Sequence, residues 1–363
     1  MKVLSITNFN IGYAATLPER SLFKGLFAKG VELTVIVPNP NPESRELESS
    51  GIKVIYIPIT RKIDIKVIRK LRALIKEEKF DILHLTFSKA ITNCLFAAWG
   101  YKTRMIAYIG STSVYWHDPF AYLSFLNPRL DRIICLSNGV EEHMIKQAPF
   151  RLRGKTIRIY KGYEPVWIKD IKPISRKTLN IPEDAVLVCC VANVRKIKGI
   201  HYLIKSADFL PLNLPIYFLL VGSGMDSARI KNRISRSKYC NNFRLNGYTS
   251  DVLSYTAACD IYMQPSLTEG LGRSVIEAMC LGKPVIASGT GGVGELINEG
   301  VNGYHVPAKS SKALAEKILL CYQNRGNLPA MGSMGKERIR TEFSSGRMIE
   351  ETYHLFRSMV SLQ

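Results

Sequence analysis

What this chain lacks narrows it first. No run of 18 apolar residues occurs in its 363 residues, so the pattern predicts no membrane-spanning helix. The opening Met1-Lys2-Val3-Leu4-Ser5-Ile6 reads as a strand, and polar Thr7-Asn8 interrupt it too early for the apolar region of a secretory leader. The eight cysteines form no C-x-x-C pair, and most lie in apolar strand or helix patterns. They are expected as reduced core thiols of a cytoplasmic protein, not as bridges or zinc ligands. No low-complexity run and no nucleic-acid-binding motif is present. Acidic residues are scarce, 30 against 50 Lys+Arg, for a net charge of +20. Residues 1–165 carry 25 basic and 14 acidic residues, and 166–363 carry 25 and 16, so the excess is not a basic tail. It favours an anionic partner such as a diphosphate or an acidic membrane face.

What is present fits two domains. The length exceeds one ordinary core, and 46% hydrophobic content is that of a globular chain. Strand and helix patterns alternate from the start. Strands are expected at 3–6 and 32–37 with a helix at 17–28 between them, the opening of a Rossmann-like sheet without G-x-G-x-x-G in its first turn. Further strands are expected at 81–86, 104–109 and 131–137, and a new series starts at 185–192 and 216–221.

Residues 61–79, RKIDIKVIRKLRALIKEEK, read as a helix with eight basic and three acidic residues. Ile65, Ile68, Leu71, Leu74 and Ile75 recur at helical spacing and are expected to face inward. Lysines and arginines cover the rest. A solvated surface helix and a peripheral contact with anionic lipid both fit that pattern.

The densest signal is residues 265–292, PSLTEGLGRSVIEAMCLGKPVIASGTGG. A strand pattern at 261–266 leads in, a glycine turn follows, a helical pattern covers 274–281, and Gly282-Lys283-Pro284 stops it before a strand at 284–287. That is a β-α-β unit. The N–H groups of Leu271, Gly272, Arg273 and Ser274 would start the helix without partners and point at an anion, which Gly270 and Gly272 let approach closely. Glu269 and Glu277 would flank it. A carboxylate repels a phosphate, so each is expected on hydroxyls, as a nucleotide-sugar offers on either side of its diphosphate. Glycine turns and solvated helix glutamates are also common in any α/β protein, so spacing alone leaves both readings open.

The stretch PSLTEGLGRSVIEAMCLGKPVIASGTGGVGELI resembles the E-x7-E region of the retaining glycosyltransferases of family 4, and GVNGYHVP follows in family order. The resemblance implies the α/β architecture called GT-B, two Rossmann-like domains facing across a cleft. Here these would be residues 1–165, with a C-terminal helix at about 345–363 crossing back, and 166–344. It implies transfer of a sugar, with retention, from a nucleotide-diphosphate donor to a hydroxyl of a glycan or glycolipid, with UDP-sugar favoured over GDP-sugar. It implies no cofactor and no metal, and no Asp-x-Asp occurs. The donor would lie mostly on the second domain and the acceptor on the first.

Residue roles follow from the resemblance. Glu269 would hold sugar hydroxyls and Glu277 the ribose. Lys198, in NVRKIKG, matches the family's Lys-Gly and would neutralise the diphosphate. The family's arginine slot five residues earlier holds Asn193, so Arg195 or Lys196 would supply that charge. Tyr248 and Val252 would neighbour the base, with Gly222 near the same cleft. Gly12, Tyr13 and Gly110 would lie on the acceptor side. Ile109 stands where many members carry a histidine, so no role is carried to it; His117 and Asp118 follow a few residues on, and His84 is expected to be structural. The family's usual work implies surface polysaccharide or lipopolysaccharide synthesis, in the cytoplasm or on the inner membrane face, with a lipid-linked or glycan acceptor and no nucleic acid. A nucleotide-sugar epimerase, and a degenerate module that binds lipid or a protein, are the alternatives.

Overall fold

A computed structural model describes residues 1–9, 13–289 and 291–361. Gly12 therefore lies outside the described residues. The chain divides into two compact units, Met1–Tyr163 with Phe343–Gln363, and Glu164–Glu342.

The first unit is built on seven strands: β1 (Lys2–Ile6), β2 (Glu32–Val37), β3 (Lys53–Tyr56), β4 (Ile82–Leu85), β5 (Arg104–Ile109), β6 (Arg132–Cys135) and β7 (Thr156–Arg158). They run parallel in the order β3-β2-β1-β4-β5-β6-β7. Central strands of such a sheet are covered on both faces, which is why β1, β4 and β5 are nearly continuous in apolar residues. Val3, Leu4, Ile82, Leu83, Met105 and Ile106 are fully buried.

The C-terminal helix Ser345–Val360 belongs to this unit because of its apolar stripe. Met348, Leu355, Phe356 and Met359 recur at helical spacing and join the core of β1, β2 and the Tyr13–Ala28 helix. Gly25 permits the close contact: a Cβ there would lie 2.4 Å from Ile349 Cδ1. Under the stripe sits His84, fully buried on β4, its Nδ1 3.0 Å from Ser5 Oγ and its ring 5.6 Å from that of Phe356. Burial pushes its pKa down to about 4.

The basic segment departs from its sequence reading. The helix spans Ile65–Glu78, opened by Asp64, whose Oδ1 accepts from the N–H groups of Lys66 and Val67. Val67, Leu71 and Ile75 form its buried stripe, and Ile68 and Leu74 are half-buried. Ile65, expected inside, is 65% exposed. It is the first residue of the helix and faces solvent, although the preceding Arg61, Lys62 and Asp64 are bonded to Asn93 of the Ser88–Ala97 helix.

The second unit has six strands: β8 (Val186–Val191), β9 (Ile216–Val221), β10 (Phe243–Asn246), β11 (Ile261–Gln264), β12 (Val285–Ser288) and β13 (Gly303–Val306). They are parallel in the order β10-β9-β8-β11-β12-β13. This repeats the order of the first six strands of the first unit. In each unit the strand order reverses at one seam, between β1 and β4 and between β8 and β11, and the carboxyl ends beside such a seam are where ligands bind in open α/β sheets. All eight cysteines are free thiols, and all but Cys240 are buried. Among the described residues no helix is long and apolar enough to cross a membrane.

Candidate functional site

The seam of the second unit joins two short loops. The loop after β8 makes a single 3-10 turn, Lys196–Lys198, and Gly199 ends it with φ of 64°. A Cβ at Gly199 would lie 2.0 Å from the carbonyl oxygen of Pro265, in the loop after β11. Only glycine fits there, in that conformation and against that backbone. The contact is cemented by Leu267 N–H donating to Ile197 O at 2.7 Å. The Lys-Gly pair is thus a packing device, and it brings the Lys198 ammonium to the Glu269 carboxylate, with which it is ion-paired.

Glu269 is held closely. Its Oε1 accepts from Lys198 Nζ, from Ser266 Oγ at 2.9 Å and from Gln264 Nε2 at 3.4 Å. Among the described residues these donors all meet one oxygen, Oε1, and a carboxylate has a second oxygen with which to accept. Gln264 is fully buried and uses both ends of its amide. Its Nε2 donates to Ser266 Oγ at 2.7 Å, and its Oε1 accepts from Tyr262 and from Ser274, both at 3.1 Å. Gln264, Ser266 and Tyr262 were not singled out in the sequence. The available signal was polarity where a central parallel strand is normally apolar.

After Glu269 the chain turns through Gly270, buried Leu271 and Gly272 into the Arg273–Cys280 helix. Gly272 has φ of 77° and ψ of 72°, and its carbonyl accepts from the N–H groups of Val275 and Ile276. The backbone N–H groups before Val275 are those an α-helix cannot pair with its own carbonyls. The Ser274 hydroxyl donates to Gln264 Oε1 and so joins the network behind Glu269. Arg273 is exposed on the first turn with Nε 3.5 Å from Glu277 Oε1. Glu277 lies one turn further in, with a side chain only 13% exposed. Burial raises its carboxyl pKa, and the Arg273 charge partly offsets the rise. The two glutamates therefore differ: Glu269 is ion-paired and hydrogen-bonded, whereas Glu277 is poorly solvated beside one exposed guanidinium.

The remaining sequence candidates scatter around this centre. Arg195 precedes the Lys196–Lys198 turn and is exposed, as is Asn193. Gly222 follows β9 with φ of 130°, and a Cβ there would lie 2.2 Å from Ala192 O; its N–H donates to Asn246 O at 3.0 Å. It packs the ends of β8, β9 and β10 together. Tyr248, after β10, is 83% exposed, and Val252 is half-buried at the start of the Val252–Ala258 helix.

In the first unit, Tyr13 begins the Tyr13–Ala28 helix and Gly110 follows β5. His117 stacks on Tyr115 at 5.4 Å, and Asp118 Oδ1 accepts from Phe120 N–H at 2.9 Å, capping its own short turn.

The chain matches the family model of glycosyl transferases group 1 over residues 171–338 and that of Glycosyltransferase Family 4 over residues 20–165. It is 26% identical over 369 residues to the uncharacterized glycosyltransferase MJ1069 of Methanocaldococcus jannaschii, covering 91% of each chain. It is 27% identical over 199 residues to the O-antigen biosynthesis glycosyltransferase WclY of Escherichia coli, a match spanning 54% of each. Among solved structures, Anabaena Alr3699/HepE in complex with UDP superposes with a TM-score of 0.79 at 20% identity, over 99% of this chain and all of that one. The same protein in complex with UDP-glucose superposes at 0.77. These last two establish the fold.

Proposed function

The chain belongs to the GT-B glycosyltransferases of the family 4 type, and from that premise we propose that it moves a hexose from a nucleotide-diphosphate sugar to a hydroxyl of a glycan or lipid-linked acceptor, with retention and without a metal. The observation that carries the reading is the Lys198–Glu269 pair at the β8/β11 seam, beside the start of the Arg273–Cys280 helix. One end of that arrangement suits a diphosphate and the other suits sugar hydroxyls.

The departing diphosphate gains charge as the glycosidic bond breaks. Lys198, Arg195 and the backbone N–H groups of residues 271–274 stabilise that charge. When the diphosphate takes the Lys198 ammonium, Glu269 loses one donor and its carboxylate accepts from the sugar hydroxyls, which positions the anomeric carbon. Glu277 holds the ribose hydroxyls, and Tyr248 and Val252 neighbour the base. Of the acceptor-side residues of the resemblance, Tyr13 and Gly110 belong to the first unit. UDP is the favoured nucleotide, in keeping with the UDP-bound structure of the Anabaena neighbour. Surface polysaccharide or lipopolysaccharide synthesis is the setting, in keeping with the O-antigen and lipopolysaccharide core glycosyltransferases among its relatives.

The test is thermal stabilisation by UDP, GDP, ADP, CMP and TDP, on wild type and on Glu277→Ala. A nucleotide at ~100 times its dissociation constant adds about 2.7 kcal/mol. UDP is expected to stabilise the wild type and to lose most of that effect in the variant. No response to any nucleotide overturns the donor assignment. Release of UDP from a UDP-sugar only when acceptor is present then separates transfer from epimerisation, and persistence of turnover in EDTA supports metal independence.

A further inference from the structure

The Ile200–Ser206 helix, which follows Gly199, packs against the Ala228–Ile234 helix, which follows β9. Their apolar residues explain the contact: Ile200, Leu203 and Ile204 share one buried core with Ile230 and Ile234. Their exposed side is basic. Residues 195–207 and 227–250 hold ten lysines and arginines and no aspartate or glutamate, so neither helix carries its own counter-charge.

The charges converge on His201. Arg229 and Arg233 lie one turn apart on the same side of their helix. Lys196 opens the turn that leads into the helix of His201. Burial lowers the His201 pKa first, and Arg233, Arg229 and Lys196 lower it further, which places all three cations around the ring. Tyr202 lies against it, with ring centroids 3.9 Å apart. Among the described residues, Lys196, Arg229 and Arg233 make no ion pair and the His201 ring no hydrogen bond. The acids that border the two segments are engaged elsewhere. Asp208 accepts from Ser237 Oγ at 2.6 Å and from Lys238 N–H at 3.0 Å, and the Asp226 carboxylate lies against Gly247, 2.6 Å from where a Cβ would stand. Cations held together without a counter-ion repel one another, and an anion among them relieves that repulsion.

Four groups from three segments, two of them guanidinium forks, suit a ligand with several anionic oxygens about one or two centres. We propose that Lys196, His201, Arg229 and Arg233 form a second anion site, which takes a phosphoanion of the size of pyrophosphate. Lys196, which the resemblance offered beside Arg195 for the donor, serves this site instead. Its turn also carries Lys198. Two anions bound to the two lysines of one turn repel each other, so occupancy of the second site weakens donor binding without excluding it. This coupling rests on the donor reading above; the site itself does not.

The experiment is calorimetric titration of UDP into the full chain at rising pyrophosphate, with ionic strength held constant. The dissociation constant for UDP is expected to rise and level off at about fivefold. Arg229→Gln with Arg233→Gln is expected to abolish that rise. Without pyrophosphate the same variant is expected to bind UDP within about twofold of wild type, since exposed charges at a distance are largely screened. Lys312→Gln with Lys336→Gln, elsewhere on the same unit, removes the same charge and is expected to leave the rise intact. All four positions are exposed, and thermal midpoints check that the variants fold. A rise that never levels off means that pyrophosphate competes for the donor site. That result, no rise, or an equal loss in both double variants overturns the proposal. If UDP itself does not bind, the donor reading fails, and the His201 ring resonances decide the site. Pyrophosphate is expected to move their titration midpoint up in wild type and not in the arginine variant, and an unmoved midpoint in wild type overturns the site.

Discussion

The two units share one strand order yet differ at the corresponding seam. After β8 and β11 the second unit places a lysine and a glutamate in contact, backed by buried Gln264, Ser266 and Tyr262. After β1 and β4 the first unit places hydroxyls: Thr86 Oγ1 lies 3.3 Å from Thr7 Oγ1, and Thr7 donates to Glu19 at 3.1 Å. Topology decides where a ligand can sit, and the loop residues decide what it can be. The central strands differ in the same way. Among the described residues, β4 buries a histidine bonded to Ser5 of β1 alone, whereas β11 buries a tyrosine whose hydroxyl meets both Val191 of β8 and the site residue Gln264.

The comparison breaks most easily at the charged seam. Lys198→Ala is expected to lower kcat/KM by about 10²–10³-fold, roughly 3–4 kcal/mol of barrier, in a steady-state assay with UDP-sugar. Thr86→Val at the first unit's seam should cost less than about fivefold, near the small net worth of one neutral hydrogen bond. Similar losses from both would erase the distinction between the seams.

Within the second unit, the two glutamates are expected to separate. Glu277→Ala should weaken UDP binding by roughly 10–100-fold, about 1.5–3 kcal/mol for a hydrogen bond to a charged group. Glu269→Ala should mainly lower kcat. Titration calorimetry with UDP on both variants decides between them, and equal losses of affinity would contradict the assigned roles.

His84 sharpens the comparison through pH. Its folded pKa is about 4 against an ordinary value of 6.5, so between those values the unfolded chain binds the extra proton. Stability of the first unit should therefore fall as pH drops from 6.5 toward 4, by roughly 1–3 kcal/mol in all. His84→Asn, which retains a group able to bond Ser5, should flatten that slope in chemical-denaturation series, while Tyr262→Phe should leave it unchanged.

The effect expected of Gln264 is indirect. It touches no substrate in the proposed arrangement but directs donors onto one oxygen of Glu269. Gln264→Leu should lower kcat about tenfold with UDP affinity within about twofold. A matching loss of UDP affinity would make its role that of general support for the fold.

Much of this was legible in the chain. Alternating apolar strands and helical stripes located the central strands of both sheets, because strands covered on both faces must be apolar whatever surrounds them. The β-α-β unit around Glu269 was legible because a glycine turn between a strand and a helix admits few conformations. Other elements escaped. The Pro42–Ser49 helix begins in PNPNP, which reads as a break, yet Asn41 and Ser44 form a capping box with Pro42 in the first turn. Ile65 has the spacing of a core residue, yet at the first position of its helix it faces solvent.

By itself the sequence determined two repeats of a parallel α/β pattern, a glycine turn set between two glutamates, and a large positive charge. These are local or compositional properties, dictated by the 2.0 and 3.6 residue periods and by backbone freedom at glycine. Only the tertiary structure decided that Gly199 packs on Pro265 and so delivers Lys198 to Glu269, that Gln264 is a buried link, and that Lys62 meets Phe120 beside exposed Ile63. Each of these joins residues 5 to 71 positions apart. The longer ones depend on how strands order and loops close across a sheet, which no window of sequence contains.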